Sequence, residues 1–191
     1  PLAENAEILS FGEKLFAGKI DALVCMTGVG TKILLETLAA RWDIPSIIDR
    51  LSRVTVVARG PKPAQVLRDN GIPVTLVIPE PDTTAEIIET LDQSPKGLSL
   101  EGKTVAVQEH GASNARLVQA LKERGAKVLQ VPVYRWALPL DTAPLLAGIR
   151  EVIGGRVQVA LFTNAAQVDH LLRFASGEGL EKPLREAMKK L

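Results

Sequence analysis

Residues 21–38 read DALVCMTGVGTKILLETL, and the change of pattern inside this stretch decides the fold. Asp21 to Met26, apolar from Ala22 on, reads as a short buried strand. Thr27-Gly28-Val29-Gly30 then breaks the run, and Ile33, Leu34, Leu38 and Ala39 fall at helical spacing within residues 30–42. A strand that ends in small residues and passes straight into a helix is half of a βαβ unit. Its turn exposes the first N–H groups of the helix, where the helix dipole favours negative charge. The stretch therefore predicts both a parallel sheet and a place to hold an anion.

Outward from this unit the pattern recurs. VTVVA at 54–58 predicts a strand, 63–69 a helix stopped by Asn70-Gly71, and 74–78 another strand. Thr83 or Thr84, supported by Glu86, caps a helix reaching about Leu91. Residues 104–108 predict a strand, 113–124 a helix closed by Gly125, and 127–131 a further strand. Strands alternating with helices of about ten residues indicate an α/β lobe over 3–134, a parallel sheet with helices on both faces. After Tyr134 the character changes. RWALPLDTAPLLAG (135–148) reads as a crossing segment that leads into a helix over 142–152. VQVALFTNAAQVDHLLRFA (157–175) then parallels IDALVCMTGVGTKILLETL (20–38), which predicts a strand at 158–162 and a second lobe using the same device. One strand cannot make a sheet. Either its neighbours lie in sequence outside this chain, or the second region is not α/β.

Four such turns stand out: Thr27-Gly28-Val29-Gly30, Arg59-Gly60-Pro61-Lys62, His110-Gly111-Ala112-Ser113 and Thr163-Asn164-Ala165-Ala166. Ser, Thr and Gly also cap helices for structural reasons alone. Four on successive units point to a ligand with several carboxylates or phosphates, bound where an open α/β sheet takes its ligands. Tyr134, the sole tyrosine, stands where the first lobe gives way to the second. Its phenol is either a hydrogen-bond or proton donor in a cleft, or a hinge residue packing on Trp136.

Other chemistry is poorly supported. With 23 basic and 22 acidic residues, a net charge of +1 and no like-charge run, the chain has no nucleic-acid stripe or polybasic membrane patch. No apolar segment approaches the ~20 residues of a membrane span, and no signal-peptide pattern opens the sequence. Cys25 is the single cysteine and lies in an apolar run, so it reads as a small buried hydrophobe in a reducing compartment. His110 and His170 form no metal-ligand motif, and His170 reads as a helix-surface residue. TGVGTK lacks the spacing of a P-loop, the third glycine of a dinucleotide fingerprint is missing, and there is no G-x-S-x-G elbow.

Taken in order, DALVCMTGVG (21–30), VVARGPKPAQVLRDNGIPV (56–74), GKTVAVQEHGASNARLVQALKERGAKVLQVPVYRW (102–136) and VQVALFTNAAQVDHLL (157–172) resemble the uroporphyrinogen-III synthase family. The collinear order over nearly the whole chain carries the resemblance. It implies two flavodoxin-like α/β lobes, with 135–191 part of a second lobe whose remainder lies beyond both ends of this sequence. It implies a lyase of heme biosynthesis that closes hydroxymethylbilane to uroporphyrinogen III, with inversion of ring D, loss of water and no metal or organic cofactor. It also implies a cytoplasmic monomer without nucleic-acid or membrane partners. The substrate's eight carboxylates would be gripped by Thr27, Gly28 and Val29, by Arg59 and Gly60, by His110, Gly111, Ala112 and Ser113, and by Thr163, Asn164 and Ala165. Arg59 and Lys62 add charge, either for propionates or as a solvated pair, and Tyr134 would assist hydroxyl loss. Two alternatives stay open: an inactive tetrapyrrole-sensing or regulatory domain of the same family, and a two-lobed solute binder.

Overall fold

The computed structural model describes residues 5–93, 99–109, 111, 113–134 and 138–191. The chain divides into two compact units, 1–135 and 136–191. The first is built on the strands β1 (Ala22–Cys25), β2 (Thr55–Ala58), β3 (Leu76–Val77), β4 (Thr104–Glu109) and β5 (Lys127–Pro132). All pair in parallel in the order β3-β2-β1-β4-β5. The α/β class is as the sequence indicates. The direction of winding reverses between β1 and β4, whereas the flavodoxin order 2-1-3-4-5 reverses between its first and third strands, so that term describes the class of lobe and not this strand order.

The period of two along each strand divides the core. Leu23, Cys25, Val56, Ala58 and Ala106 face one layer, while Ala22, Val24, Val57, Val105 and Val107 face the other. The first layer is covered by α1 (Ala6–Phe16), α2 (Gly28–Ala39), α3 (Ile44–Ser52) and α4 (Pro61–Asp69). The second is covered by α5 (Thr84–Asp92) and α6 (Ala115–Glu123). Five of these six helices have a side-chain cap: Asn5, Thr27, Asp43, Thr83 and Asn114 accept a bond from a first-turn amide of α1, α2, α3, α5 and α6. Thr83 and Glu86 complete the expected capping box. Helix α2 starts and stops earlier than the spacing suggests, and it buries Thr31, Leu34, Leu35 and Leu38 while Ala39 is exposed. Asn5 Nδ2 donates to Pro132 O at 2.9 Å and so ties the start of α1 to the end of β5.

The second unit consists, among its described residues, of α7 (Ala143–Ile153), α8 (Ala165–Gly177) and α9 (Glu181–Met188) around Ile149, Ala175 and Leu184. The expectation of a strand at 158–162 is corrected: the segment forms none. A strand needs a neighbour for its backbone hydrogen bonds, and none is present among the described residues of this unit. Its apolar side chains remain in solvent, Val159 at 69 % and Leu161 at 87 % exposure.

Cys25 is fully buried, and loss of solvent pushes its thiol up to about 12 despite a hydrogen bond with Thr31. The thiolate is the reactive form. Native protein at pH 8 should therefore resist iodoacetamide and react only after addition of denaturant. Rapid stoichiometric labelling of the native chain, read by mass spectrometry, would contradict the packing described.

Candidate active site at the carboxyl edge of the sheet

Because all five strands are parallel, the residues that follow them in sequence gather at one edge. This brings together Thr27 and Gly28 after β1, Arg59 and Gly60 after β2, Gly111 and Ser113 after β4, and Tyr134 after β5. His110 and Ala112 lie outside the described residues. Thr163, Asn164 and Ala165 belong to the second unit.

The first turn is organised by a residue that sequence reasoning missed. Gln108, fully buried near the end of β4, accepts the N–H groups of Met26 at 3.0 Å and Thr27 at 3.2 Å through Oε1. Its Nε2 donates to Glu109 O at 2.9 Å. Gly30 makes room for this amide, since a Cβ there would overlap the Gln108 side chain. Thr27 Oγ1 then accepts from Gly30 N at 3.1 Å as the N-cap, and Thr31 Oγ1 donates to Thr27 O at 2.8 Å. Met26, Thr27 and Gly30 are thereby satisfied. The amides of Gly28 and Val29 have no acceptor among the described residues. Those two donors, at the positive end of α2, are what the turn offers to an anion.

The second turn offers fewer amides than its sequence suggests. Gly60 N is bonded to Ala58 O at 2.9 Å, and Pro61 and Pro63 have no N–H, which leaves Lys62 as the amide between them. Side-chain charge replaces what the prolines remove. Arg59 and Lys62 line a cleft of about 360 Å³ together with Met26, Thr27, Gly28, Pro61, Pro63, Glu80 and Asp82. That volume falls within the range of small-molecule sites. Gly28 allows the close approach, because a Cβ there would stand 3.3 Å from the Lys62 backbone. The first two turns thus line one cleft, where Gly28, with its unpartnered amide, lies with two cations and with the carboxylates of Glu80 and Asp82.

The third turn is wired differently. Glu109, only 7 % exposed, accepts from Ser113 Oγ and from Gln130 Nε2, both at 2.8 Å. Asn114, not Ser113, caps α6, and its Nδ2 donates to Thr84 Oγ1 at 2.8 Å. A buried carboxylate whose side-chain partners among the described residues are neutral donors lies beneath this junction and opposes a second carboxylate there. Gly111 supplies the left-handed backbone, φ +71°, that lets the chain turn into α6. In the fourth turn Asn164 caps α8 through Gln167 N at 3.1 Å, and Thr163 N donates to Gln167 Oε1 at 2.9 Å. Tyr134 is half-buried, with its ring packed against the core layer beneath α1 to α4.

A larger cleft of about 720 Å³ lies at the opposite, amino edge, lined by Asp21, Arg50, Arg53 and Lys103 among others. There Asp21 is held below the usual carboxylate range by the Thr104 N–H and then by Lys103. Its charges are largely internally paired, Arg53 with Asp49 and Lys103 with Asp21. The carboxyl edge is the stronger candidate, because its amide donors are unpaired and open α/β sheets bind ligands there. Among the described residues no group of three or more His, Cys, Asp and Glu side chains is placed to hold a metal, and no helix is long and apolar enough to cross a membrane.

A family model described as uroporphyrinogen-III synthase HemD matches residues 2–189. The chain belongs to the uroporphyrinogen-III synthase family. Uroporphyrinogen III synthase of Thermus thermophilus superposes on it with a TM-score of 0.68 and 29 % identity, over 97 % of this chain and 68 % of that one. A second crystal form of the same enzyme gives 0.60 and 30 %, over 96 % and 65 %. A putative uroporphyrinogen-III synthase of Methanothermobacter thermautotrophicus is 32 % identical over 71 % of this chain and 51 % of its own length. The uncharacterized protein YjjA of Bacillus subtilis is 30 % identical over 84 % and 57 %. The chain therefore spans little more than half the length of these two curated relatives.

Replacing Gln108 by Leu leaves the Met26 and Thr27 amides without their acceptor. The variant should be less stable by about 2–3 kcal/mol in urea unfolding. A change below about 0.5 kcal/mol would show that those amides have another partner and that Gln108 does not shape the turn.

Proposed function

We propose that this chain is the larger part of a uroporphyrinogen-III synthase that converts hydroxymethylbilane into uroporphyrinogen III and water. Family membership supports the class of ligand, a tetrapyrrole. The observation that carries the reading to this site is a cleft in which Gly28, whose amide has no acceptor among the described residues, lies with Arg59 and Lys62. A ligand with eight carboxylates needs several such grips and no strongly basic surface, which agrees with a net charge of +1.

On this reading the terminal hydroxyl of hydroxymethylbilane takes a proton and leaves as water, forming an azafulvene cation. Ring D attacks through its substituted carbon to give a spiro intermediate. That intermediate breaks and rejoins with ring D inverted, and a proton is lost on closure. The protein's contribution is mostly positional: it holds the acetate and propionate groups so that the crowded carbon meets the cation. Tyr134, at the end of β5 on the same sheet edge, is the proposed donor to the departing hydroxyl, and the first two turns are the proposed carboxylate grips. The third turn contributes less, because the Glu109 charge lies beneath it. In the second unit Thr163, Asn164 and Ala165 are proposed to take further carboxylates.

That same carboxylate favours one other reading, a domain that binds a tetrapyrrole without turning it over, since it lowers the anion-holding power at one of the four junctions. Incubation with freshly generated hydroxymethylbilane, followed by oxidation and separation of the isomers, decides between them. Type III product well above the spontaneous background is expected. Type I alone at the spontaneous rate would overturn the enzymatic reading, and retained tetrapyrrole affinity would then support the sensing one. Tyr134→Phe should lower turnover by roughly 10- to 100-fold with product affinity nearly unchanged. An unchanged rate would remove the role given to the phenol.

A further inference from the structure

The cleft between the first two turns contains a carboxylate of the protein's own. Asp82, in the loop between β3 and α5, has φ +49°, a left-handed backbone that Asp and Asn tolerate better than other side chains. Its carboxylate lies against Gly60, so closely that a Cβ on that glycine would overlap Oδ2. Gly60, at φ +82°, is the N-cap of α4 and carries no capping side chain. Asp82 thus places a negative charge where the start of α4 and the Arg59 guanidinium would receive one from a ligand.

The contact with Arg59 is unequal in its two parts. The main-chain oxygen of Asp82 accepts from Arg59 Nε at 2.8 Å, which fixes the plane of the guanidinium. The carboxylate Oδ1 stands 3.8 Å from Nη2, outside hydrogen-bond range. Among the described residues no acceptor bonds the terminal nitrogens of Arg59. Arg59 is therefore oriented by a peptide carbonyl, while its forked end is only loosely paired. A ligand carboxylate reaching that fork makes shorter, two-point bonds than Asp82 does.

We propose that Asp82 is a built-in competitor for this carboxylate subsite. It occupies the position over Gly60 in the free protein, yields it to a carboxylate of the ligand, and returns when product leaves. The inference rests on the polycarboxylate reading of the cleft given above. Its consequence is a lowered affinity at one grip: a ligand carboxylate that reaches the Arg59 fork meets the like charge of Asp82, 3.8 Å from Nη2, and is opposed by it until Asp82 moves aside. For a ligand held at many points, such a weakened grip favours release of the product.

The test is equilibrium binding of uroporphyrin, a stable macrocycle with eight carboxylates, followed by quenching of tryptophan fluorescence. Asp82→Asn keeps the size of the side chain and the tolerance for positive φ but removes the charge. It should bind uroporphyrin about five- to tenfold more tightly than the wild type, and the gain should shrink in high salt. In an Arg59→Gln background the same substitution should give no gain, a dependence that a merely structural role for Asp82 would not produce. Unchanged or weaker binding by Asp82→Asn would overturn the proposal, as would a gain that persists without Arg59. Wild-type affinity no better than that of Arg59→Gln would remove the subsite itself. These binding results are separate from the isomer assay: type III production with an Asp82→Asn affinity equal to wild type would defeat the competitor role and leave the enzymatic reading intact.

Discussion

The Gln108 side chain is the contact on which the carboxyl edge of the sheet depends. One amide group, buried between β4 and the first turn of α2, takes up two backbone N–H groups with its oxygen and one carbonyl with its nitrogen. Without it, the peptide units of Met26 and Thr27 would be buried donors lacking an acceptor, a state proteins avoid. With it, the turn after β1 is fixed to the neighbouring strand, and Thr27 is placed to cap α2. The donors at Gly28 and Val29 then remain for a ligand. The glycine at 30 follows from the same contact, because the amide passes where its side chain would be.

Charge around this edge is balanced and not accumulated. Arg59 and Lys62 line one cleft together with Glu80 and Asp82, and Glu109 lies beneath the next junction. A polyanion gripped by many amides gains from each bond, and a fully cationic edge would bind it without release. Internal carboxylates at two of the three junctions of the first unit offset part of that attraction. Geometry, not net charge, then decides which anion fits.

Much of the fold was legible because its signals are local. The shift from a continuous apolar run to helical spacing at residues 21–38 marks β1 and α2, and Thr83 with Glu86 marks the start of α5. Helix α1, with Ile8, Phe11 and Leu15 at helical spacing, and α3, with its Asp43 cap, carry local signals of the same kind, although the sequence reading assigned neither. The strand expected at 158–162 failed for a reason that composition does not record. Pairing is a property of two segments, and the described residues of the second unit hold only helices. At the site, the four turns look alike in sequence but differ in which amides survive. Pro61 and Pro63 were visible subtractions. The roles of Gln108, Glu109 and Asp82 arise from contacts across 82, 21 and 23 positions of sequence, which no local pattern reports.

On the proposed reading a polycarboxylate is held by peptide amides at the starts of α2 and α4. Amide chemical-shift mapping of the isotopically labelled protein during titration with uroporphyrin tests it most directly. Perturbations centred on Gly28, Val29 and Lys62 that saturate together are expected. Saturable shifts centred instead on residues 50–55 and 103 at the opposite edge of the sheet, with those three amides unmoved, would contradict it.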